Sequence, residues 1–225
     1  MQSKKTPKIF KTLEKVILDA PEKGAAHGPI EPLKLLFVAV EAAPYARVGG
    51  VSSVITALAR SLNSLGHDAR IFMPKFGFID ERLYETELVV EGLRVPTGDP
   101  TMPFLECNIK SHTHNGVITY FLENMEYYEL RANVYGYTDD PIRWALLSRG
   151  ALEFILNDSF IPHIVHCNDW QCGLLPNYMK TVYKSEVRLA KLASVFTIHN
   201  LKFQGMFDHK NVSEMDFDDG WSDIA

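Results

Sequence analysis

Apolar positions follow two different periods in the segment from Leu33 to Pro74. Leu33 to Val40 is a nearly continuous apolar run, which is typical of a strand covered on both faces in a parallel sheet. From Val51 to Leu65 apolar residues recur about every 3.6 positions, and Gly66 then predicts the end of a helix. A second strand is predicted from His67 to Pro74. The segment is therefore a predicted βαβ unit.

The rest of the chain adds shorter strands and two helices. Strands are predicted over 88–95, 104–109, 117–122, 163–167 and 193–198, and turn signals between the first three predict hairpins. One helix is predicted from Asp140, as an N-cap acid followed by Pro141, and another from Cys172 to Tyr183. This alternation predicts an α/β fold, a doubly wound, Rossmann-like domain with a mostly parallel sheet, whose ligands bind beyond the carboxyl ends of the strands.

Residues 1–32 are predicted to be a basic N-terminal extension and linker. Six lysines and a helical apolar period occupy residues 1–23, and three prolines and two glycines follow between residues 21 and 32. A loosely docked arm is the simplest interpretation. A membrane-surface helix, a partner-binding helix and a targeting peptide stay open, although the acidic residues and the lack of Arg argue against targeting.

Composition and charge exclude several classes of function. The chain has 225 residues, 46% of them hydrophobic, with a net charge of -5 and a pI near 5.9. Non-specific binding to nucleic acid needs a basic face, so we expect no nucleic-acid partner. No apolar run approaches the roughly 20 residues that span a bilayer, so we expect no membrane partner. Three cysteines without a secretory signal indicate reduced thiols and a cytoplasmic protein.

Polar residues cluster at three predicted strand ends. Glu41 and the segment Arg47–Gly50 follow the first strand, His166–Gln171 follows a later strand, and His199 and Asn200 follow the last. Because the carboxyl ends of parallel strands meet at one edge of a sheet, we expect a single crevice there. A cation, two glycines and a helix N-terminus are suited to holding a diphosphate.

Two common phosphate-binding motifs do not match this junction. A dinucleotide site needs Gly-x-Gly-x-x-Gly in a tight turn directly after the strand, whereas nine residues, Glu41 to Gly49, precede Gly50. A Walker lysine motif is also missing from the sequence. A longer loop with adjacent glycines suits a diphosphate that is attached to another group.

Other interpretations of the strand-end residues are simpler. The candidate metal ligands match no recognised zinc spacing; they are His163, His166, Cys167 and Asp169, and separately His112 and His114. His166, at the end of a buried strand, is typical of a core histidine. Asp169 also suits the N-cap of the next helix, which does not exclude a functional role. A turn pair is the alternative for His199 and Asn200, but their place at a third strand end favours function.

Three segments resemble the N-terminal catalytic domain of bacterial glycogen synthases and plant starch synthases. They are Glu41–Gly50 (EAAPYARVGG), His166–Leu174 (HCNDWQCGL) and Phe196–Gly205 (FTIHNLKFQG). Asn133–Tyr137 and the helix after it extend the resemblance, which runs from about residue 33 to 205. Three motifs in the expected order make the match specific.

The resemblance implies a retaining glycosyltransferase. Such enzymes move glucose from ADP-glucose, or less often UDP-glucose, to the non-reducing end of an α-1,4-glucan. The domain over 33–225 would be the N-terminal half of a GT-B architecture, in which two Rossmann-like domains face a cleft. No metal or other cofactor is implied, because cationic side chains and helix-end amides stabilise the leaving diphosphate.

The resemblance also implies roles by position. Asp169 would face the glucose or the acceptor near the reacting carbon, and His199 would bond the transferred sugar; these two are the predicted catalytic residues. Arg47 would contact the phosphates. The other predicted substrate-binding residues are Gly49 and Gly50 at the close backbone approach, Glu41 on the acceptor side, Asn200 and Gln204.

Several positions depart from the family pattern. Arg47 stands where Lys is usual, and a planar guanidinium is not equivalent to an ammonium. Ser53 stands where an Asp usually follows the glycines, and Asn168 and Gln171 stand where His is usual.

The second GT-B domain is expected to be missing after Ala225, and the acidic stretch 214–223 shows no clear closing element. Because both walls of the cleft bind the transition state, we expect very little activity from this chain alone. Three alternatives therefore stay open. The chain is a glycosyltransferase, as a fragment or as half of a split enzyme with a separate C-terminal partner; a non-catalytic module that binds glucan or nucleotide sugar; or an interaction subunit.

Overall fold

The structure is a computed structural model that describes residues 31–207. All but the last two residues of the predicted extension over 1–32 lie outside the described residues, as does the acidic stretch 214–223. The division of the chain at residue 32 therefore stays a prediction.

A seven-stranded sheet forms the centre of the described part of the chain. Its strands are β1 (Lys34–Val38), β2 (Asp68–Pro74), β3 (Glu87–Pro96), β4 (Phe104–His114), β5 (Val117–Glu123), β6 (Ile164–Asn168) and β7 (Ala193–Thr197). They lie in the order β3-β4-β5-β2-β1-β6-β7. In this order, the strands from β5 through β2, β1 and β6 to β7 pair in parallel with their neighbours, and β4 runs antiparallel to β3 and β5. The predicted mostly parallel α/β sheet is confirmed.

Helical segments surround this sheet. They are α1 (Val51–Ser64), α2 (Glu81–Tyr84), a π-helix (Met125–Glu129), α3 (Asp140–Asn157), a 3-10 turn (Trp170–Cys172) and α4 (Leu174–Lys180). Phe37 and Val38 are neighbours in β1, so their side chains point to opposite faces of the sheet, and both are fully buried. The core therefore extends on both sides of the sheet, as a doubly wound fold requires.

Gly66 ends α1 as predicted. Its φ is +92°, its N–H donates to Asn63 O at 3.0 Å, and the N–H of His67 donates to Leu62 O at 3.1 Å. These two bonds form a Schellman motif, which satisfies carbonyls at the end of the helix. The His67 ring then accepts the Leu33 N–H at 3.1 Å, so the turn into β2 is also bonded to the start of β1.

The predicted hairpins belong to the main sheet. Asn115 and Gly116, both with positive φ, connect β4 to β5, and β5 then pairs in parallel with β2. β4 extends to His114, five residues beyond the predicted end at Ile109. Its last residues are polar, so they lack the apolar signal of a strand, but they still pair with β5.

Two predicted helix starts are corrected. The N-cap of α3 is Asp139, since Asp140 already belongs to the helix and its carboxylate accepts the Gly136 N–H. α4 begins at Leu174, after the 3-10 turn, and not at Cys172. An α-helix from Cys172 would need an N–H on Pro176 to bond Cys172 O, and proline has none. α4 also ends at Lys180, before the predicted Tyr183.

Candidate functional site

A cavity of about 750 Å³ lies where β1, β6 and β7 end. Four parts of the chain line it: the segment after β1 with the first turn of α1, the loop before α3 with the first residue of that helix, the segment after β6, and the segment after β7. The lining residues are Glu41, Val48, Gly49, Gly50, Val51, Val54, Tyr135, Asp140, Asp169, Trp170, Gln171, His199, Asn200 and Phe203. The structure thus brings six of the eight predicted site residues together, all except Arg47 and Gln204.

Glu41 holds the loop that carries the glycines. Its side chain is buried, and its Oε2 accepts the backbone N–H groups of Val48 and Gly49, each at 2.7 Å. Its Oε1 accepts the Tyr135 hydroxyl at 2.7 Å. The backbone N–H of Gly49, one of the two glycines expected to approach a diphosphate, is therefore bonded within the protein.

Tyr135 is a site residue to which sequence reasoning gave no role. Burial, and then the hydrogen bond to Glu41, raise the pKa of its phenol, so Tyr135 stays protonated and donates to the carboxylate. The signal was present in the Asn133–Tyr137 motif, but nothing in the sequence pairs Tyr135 with a residue 94 positions away.

The glycines leave open space at the start of α1. A Cβ added at Gly50 would meet no atom within 4 Å, and one added at Gly49 would come no closer than 3.8 Å to Glu41 Oε1. Neither glycine is therefore required by contacts within residues 31–207. The N–H groups of Gly50, Val51 and Ser52 find no acceptor in that part of the chain, so they are available to an anion.

Asp169 has a strained backbone. Its φ of 59° and ψ of 176° lie in a region that is nearly restricted to glycine. It occupies the N-cap position of the 3-10 turn, but its side chain makes no capping bond there. Instead, Oδ1 accepts the His199 N–H at 2.7 Å, so the ends of β6 and β7 are connected through this carboxylate.

Asn168 orients the ring of His199. Its buried amide nitrogen donates to Val38 O at 3.1 Å and to His166 O at 2.9 Å, which directs its oxygen towards His199 Nε2 at 3.0 Å. An amide oxygen only accepts, so this contact assigns a proton to His199 Nε2. Sequence reasoning listed Asn168 only as a departure from the family pattern.

His166 lies outside the cavity lining and is packed into the sheet. Its ring is 4.8 Å from that of Phe37, and its Nε2 lies 2.7 Å from Thr197 Oγ1. Burial, and then the nearby His199, lower the pKa of His166. These contacts fit the interpretation as a core histidine. Within residues 31–207 no group of three or more His, Cys, Asp or Glu side chains is arranged to hold a metal ion.

Arg47 and Gln204 lie outside the lining of the cavity. The Arg47 side chain is exposed and has no hydrogen bond or ion pair with another described residue. Gln204 donates to Leu201 O at 2.8 Å and lines a smaller cavity of about 130 Å³, which shares Trp170 with the larger one. Neither side chain forms a hydrogen bond or an ion pair with another predicted site residue.

The cysteines are buried free thiols. Burial raises the pKa of Cys107 and Cys172 to about 12 and raises that of Cys167 further, so none of the three is a ready nucleophile. Among residues 31–207, no helix combines the length and the apolarity that crossing a bilayer demands.

Comparisons with known proteins agree on one family. The model of the starch synthase catalytic domain matches residues 34–225. Glycogen synthase from Geobacillus thermodenitrificans is 39% identical over 175 residues, which cover 78% of this chain and 35% of that relative. Glycogen synthase from Desulforamulus reducens is 37% identical over 175 residues, with 78% and 36% covered.

A solved structure has a similar fold. It is the catalytic domain of starch synthase IV from Arabidopsis thaliana bound to ADP and acarbose, with a TM-score of 0.74 and 26% sequence identity. The match covers 82% of this chain and 37% of that one. The chain thus spans about a third of the length of the curated relatives that it matches, 35% for the Geobacillus protein.

Proposed function

The chain belongs to the starch synthase catalytic domain family of glycosyltransferases, and on this premise we propose that it forms the N-terminal half of a GT-B transferase. The reaction moves glucose from ADP-glucose, or alternatively UDP-glucose, to the non-reducing end of an α-1,4-glucan. The observation that carries the proposal is the convergence of Glu41, Asp169 and His199 on one cavity of about 750 Å³.

The start of α1 is the proposed diphosphate site. The free N–H groups of Gly50, Val51 and Ser52 and the positive end of the helix dipole favour an anion. Arg47 lies four residues before Val51, the first residue of α1, and has no competing partner among the described residues, so its guanidinium is free to turn towards the phosphates. The amides at the helix start are fixed donors, and donors of this kind stabilise the negative charge that develops on a leaving diphosphate without a metal ion.

The ends of β6 and β7 form the proposed sugar site. Asp169 uses Oδ1 to accept the His199 N–H, which leaves Oδ2 for a sugar hydroxyl. Asn168 holds the His199 ring from behind, so the opposite edge of the ring can bond the transferred glucose. Trp170 and Phe203 add apolar wall against which a sugar face can pack.

A C-terminal GT-B half, on the same chain or a separate one, is the proposed partner. Both walls of a cleft are needed to bind the transition state more tightly than the substrate. We also propose the cytoplasm as the location, since three buried free thiols suit a reducing compartment.

The test is reconstitution. The full 225-residue chain would be mixed with ADP-glucose and a maltooligosaccharide, with and without a supplied C-terminal half, and glucan length would be measured. We expect elongation only in the complete mixture, and its loss when Asp169→Asn replaces the native chain. If no elongation occurs with either ADP-glucose or UDP-glucose, the transferase proposal fails. Calorimetric binding of ADP or maltooligosaccharide without turnover would instead support a binding module.

A further inference from the structure

The Glu41 carboxylate is hydrogen-bonded to groups within the protein. The residue is only 4% exposed, and a buried charge must be compensated by donors. It accepts three hydrogen bonds of 2.7 Å, from the N–H groups of Val48 and Gly49 and from the Tyr135 hydroxyl. A carboxylate has about four acceptor sites, so little of Glu41 is left for a substrate.

The loop held by Glu41 has few other attachments. Val48 is 63% exposed, and residues 47 to 50 are all exposed. Apolar burial therefore contributes little to their position. The loop is held instead by the bonds to the carboxylate and by the buried Ser52 hydroxyl, which donates to Gly49 O at 2.9 Å. Hydrogen bonds to a charged acceptor are the stronger kind, which suits this task.

Tyr135 is itself fixed from both sides. The carbonyl of its neighbour Val134 accepts from Arg143 Nη1 at 2.9 Å, and the N–H of its other neighbour Gly136 donates to Asp140 Oδ2 at 2.9 Å. Arg143 and Asp140 are joined by an ion pair of 2.7 Å, and the Arg143 side chain is completely buried in α3.

Further contacts hold the same loop. The Tyr137 ring lies 5.0 Å from the guanidinium groups of both Arg131 and Arg143, and its hydroxyl accepts the Asn133 N–H at 3.0 Å. Arg131 also pairs with Asp139 at 2.6 Å. The loop before α3 is therefore a platform anchored to the buried helix, and Tyr135 extends from it to Glu41.

We propose that Glu41 and Tyr135 are positioning residues, which set the shape of the glycine loop (Arg47–Gly50) before any ligand binds. Through them, the ion pair between the buried Arg143 and the half-buried Asp140 fixes the site of the diphosphate. That last step relies on the proposed function, whereas the positioning of the loop is a property of the free protein. A loop ordered in advance binds its ligand more tightly, because less ordering is left to do on binding.

The test is amide hydrogen exchange by NMR on the full, ligand-free chain. Tyr135→Phe removes the hydroxyl that bonds Glu41. Tyr137→Phe is the matched control, since it removes a hydroxyl from the same loop that does not contact Glu41. We expect exchange of the Val48 and Gly49 amides to accelerate about fivefold in Tyr135→Phe and to stay unchanged in Tyr137→Phe. Glu41→Gln, which keeps one acceptor oxygen, should accelerate both amides at least as much.

Two outcomes would overturn the proposal. One is unchanged exchange at Val48 and Gly49 in Tyr135→Phe, and the other is equal acceleration in both tyrosine variants, which would indicate general loosening. ADP titration of the same proteins gives an independent reading, with affinity about fivefold weaker in Tyr135→Phe only. Weaker ADP binding with unchanged ligand-free exchange would make Tyr135 a direct contact and reject the positioning role. If wild type binds no ADP, the diphosphate site fails, while the exchange data still decide the positioning.

Discussion

His199 Nε2 lies 3.0 Å from Asn168 Oδ1, and Asn168 is held by backbone carbonyls of two different strands. The carbonyls belong to Val38 in β1 and His166 in β6. Because Asn168 is only 3% exposed, it cannot turn without losing these bonds. The orientation of a histidine at the cavity is therefore set by the centre of the sheet.

Asn168→Ala should destabilise the fold by about 1–3 kcal/mol, because it removes buried hydrogen bonds and leaves space in the core. Urea denaturation of the full chain measures this directly. Asn157→Ala is the control, since the Asn157 side chain is exposed and bonds only Glu153 O, and it should change stability by less than about 0.5 kcal/mol. If the two substitutions lower the free energy of unfolding equally, the Asn168 bonds stabilise the fold no more than the bond of an exposed asparagine does.

Asp169 should reverse the usual order of glycine and alanine. At most positions glycine is less stable than alanine by roughly 0.5–1 kcal/mol, but the φ of 59° and ψ of 176° strain any residue with a Cβ. We expect Asp169→Gly to be more stable than Asp169→Ala by about 1 kcal/mol in thermal or urea unfolding. Both variants lose the bond to the His199 N–H, so the difference between their free energies of unfolding measures the backbone strain at this position.

Asp158 provides the matched comparison. Its carboxylate also accepts a single backbone N–H, from Phe160 at 2.6 Å, but its φ of -95° and ψ of 164° are unstrained. Here alanine should be the more stable replacement. The same order at both positions would contradict the strain at Asp169.

The sequence predicts the strands better than it predicts the contacts between them. Apolar runs and glycine signals were sufficient for β1, α1 and β2, and the parallel topology then placed the polar strand ends around one cavity. The bond between Tyr135 and Glu41 spans 94 positions and depends on how the loop before α3 folds back, which no local pattern encodes. Likewise, Glu41 could be named from its motif, but its bonds to the Val48 and Gly49 amides depend on how the loop folds back on the carboxylate, which the motif does not encode.

Glu81 should give a stability difference that depends on pH. Its hydrogen bond to Lys110, and next its contact with Lys75, lower the pKa of this carboxyl, although its side chain is 41% exposed. Because the pKa is lower in the folded state, the ionised carboxylate stabilises the protein at pH values above its unfolded-state pKa of about 4.3. This stabilisation is lost as the pH falls through the folded-state pKa. Because solvent screens the group, we expect Glu81→Gln to lose no more than about 1 kcal/mol at pH 7.

The measurement is urea denaturation of wild type and Glu81→Gln between pH 3 and pH 7. The two proteins should differ by a constant amount above about pH 5 and converge towards pH 3. Glu126→Gln is the control, since Glu126 forms no ion pair with another described residue and its replacement should give parallel curves. A gap that widens on acidification would give the opposite sign and reject the assignment.

Arg47→Ala should weaken binding of ADP without changing stability. The side chain is exposed and has no partner among the described residues, so its loss affects only a ligand. A charged hydrogen bond to a phosphate contributes about 1.5–3 kcal/mol, so its removal should weaken the affinity measured by calorimetry roughly 10- to 150-fold.

Arg60→Ala is the control, since it removes the same charge from an exposed position in α1 and should leave the affinity for ADP within about twofold. Since guanidinium and ammonium groups bond phosphate differently, Arg47→Lys should fall between wild type and Arg47→Ala. If Arg47→Ala binds ADP with unchanged affinity, Arg47 does not contact the phosphates. The α1 amides would then be the only proposed phosphate donors among the described residues.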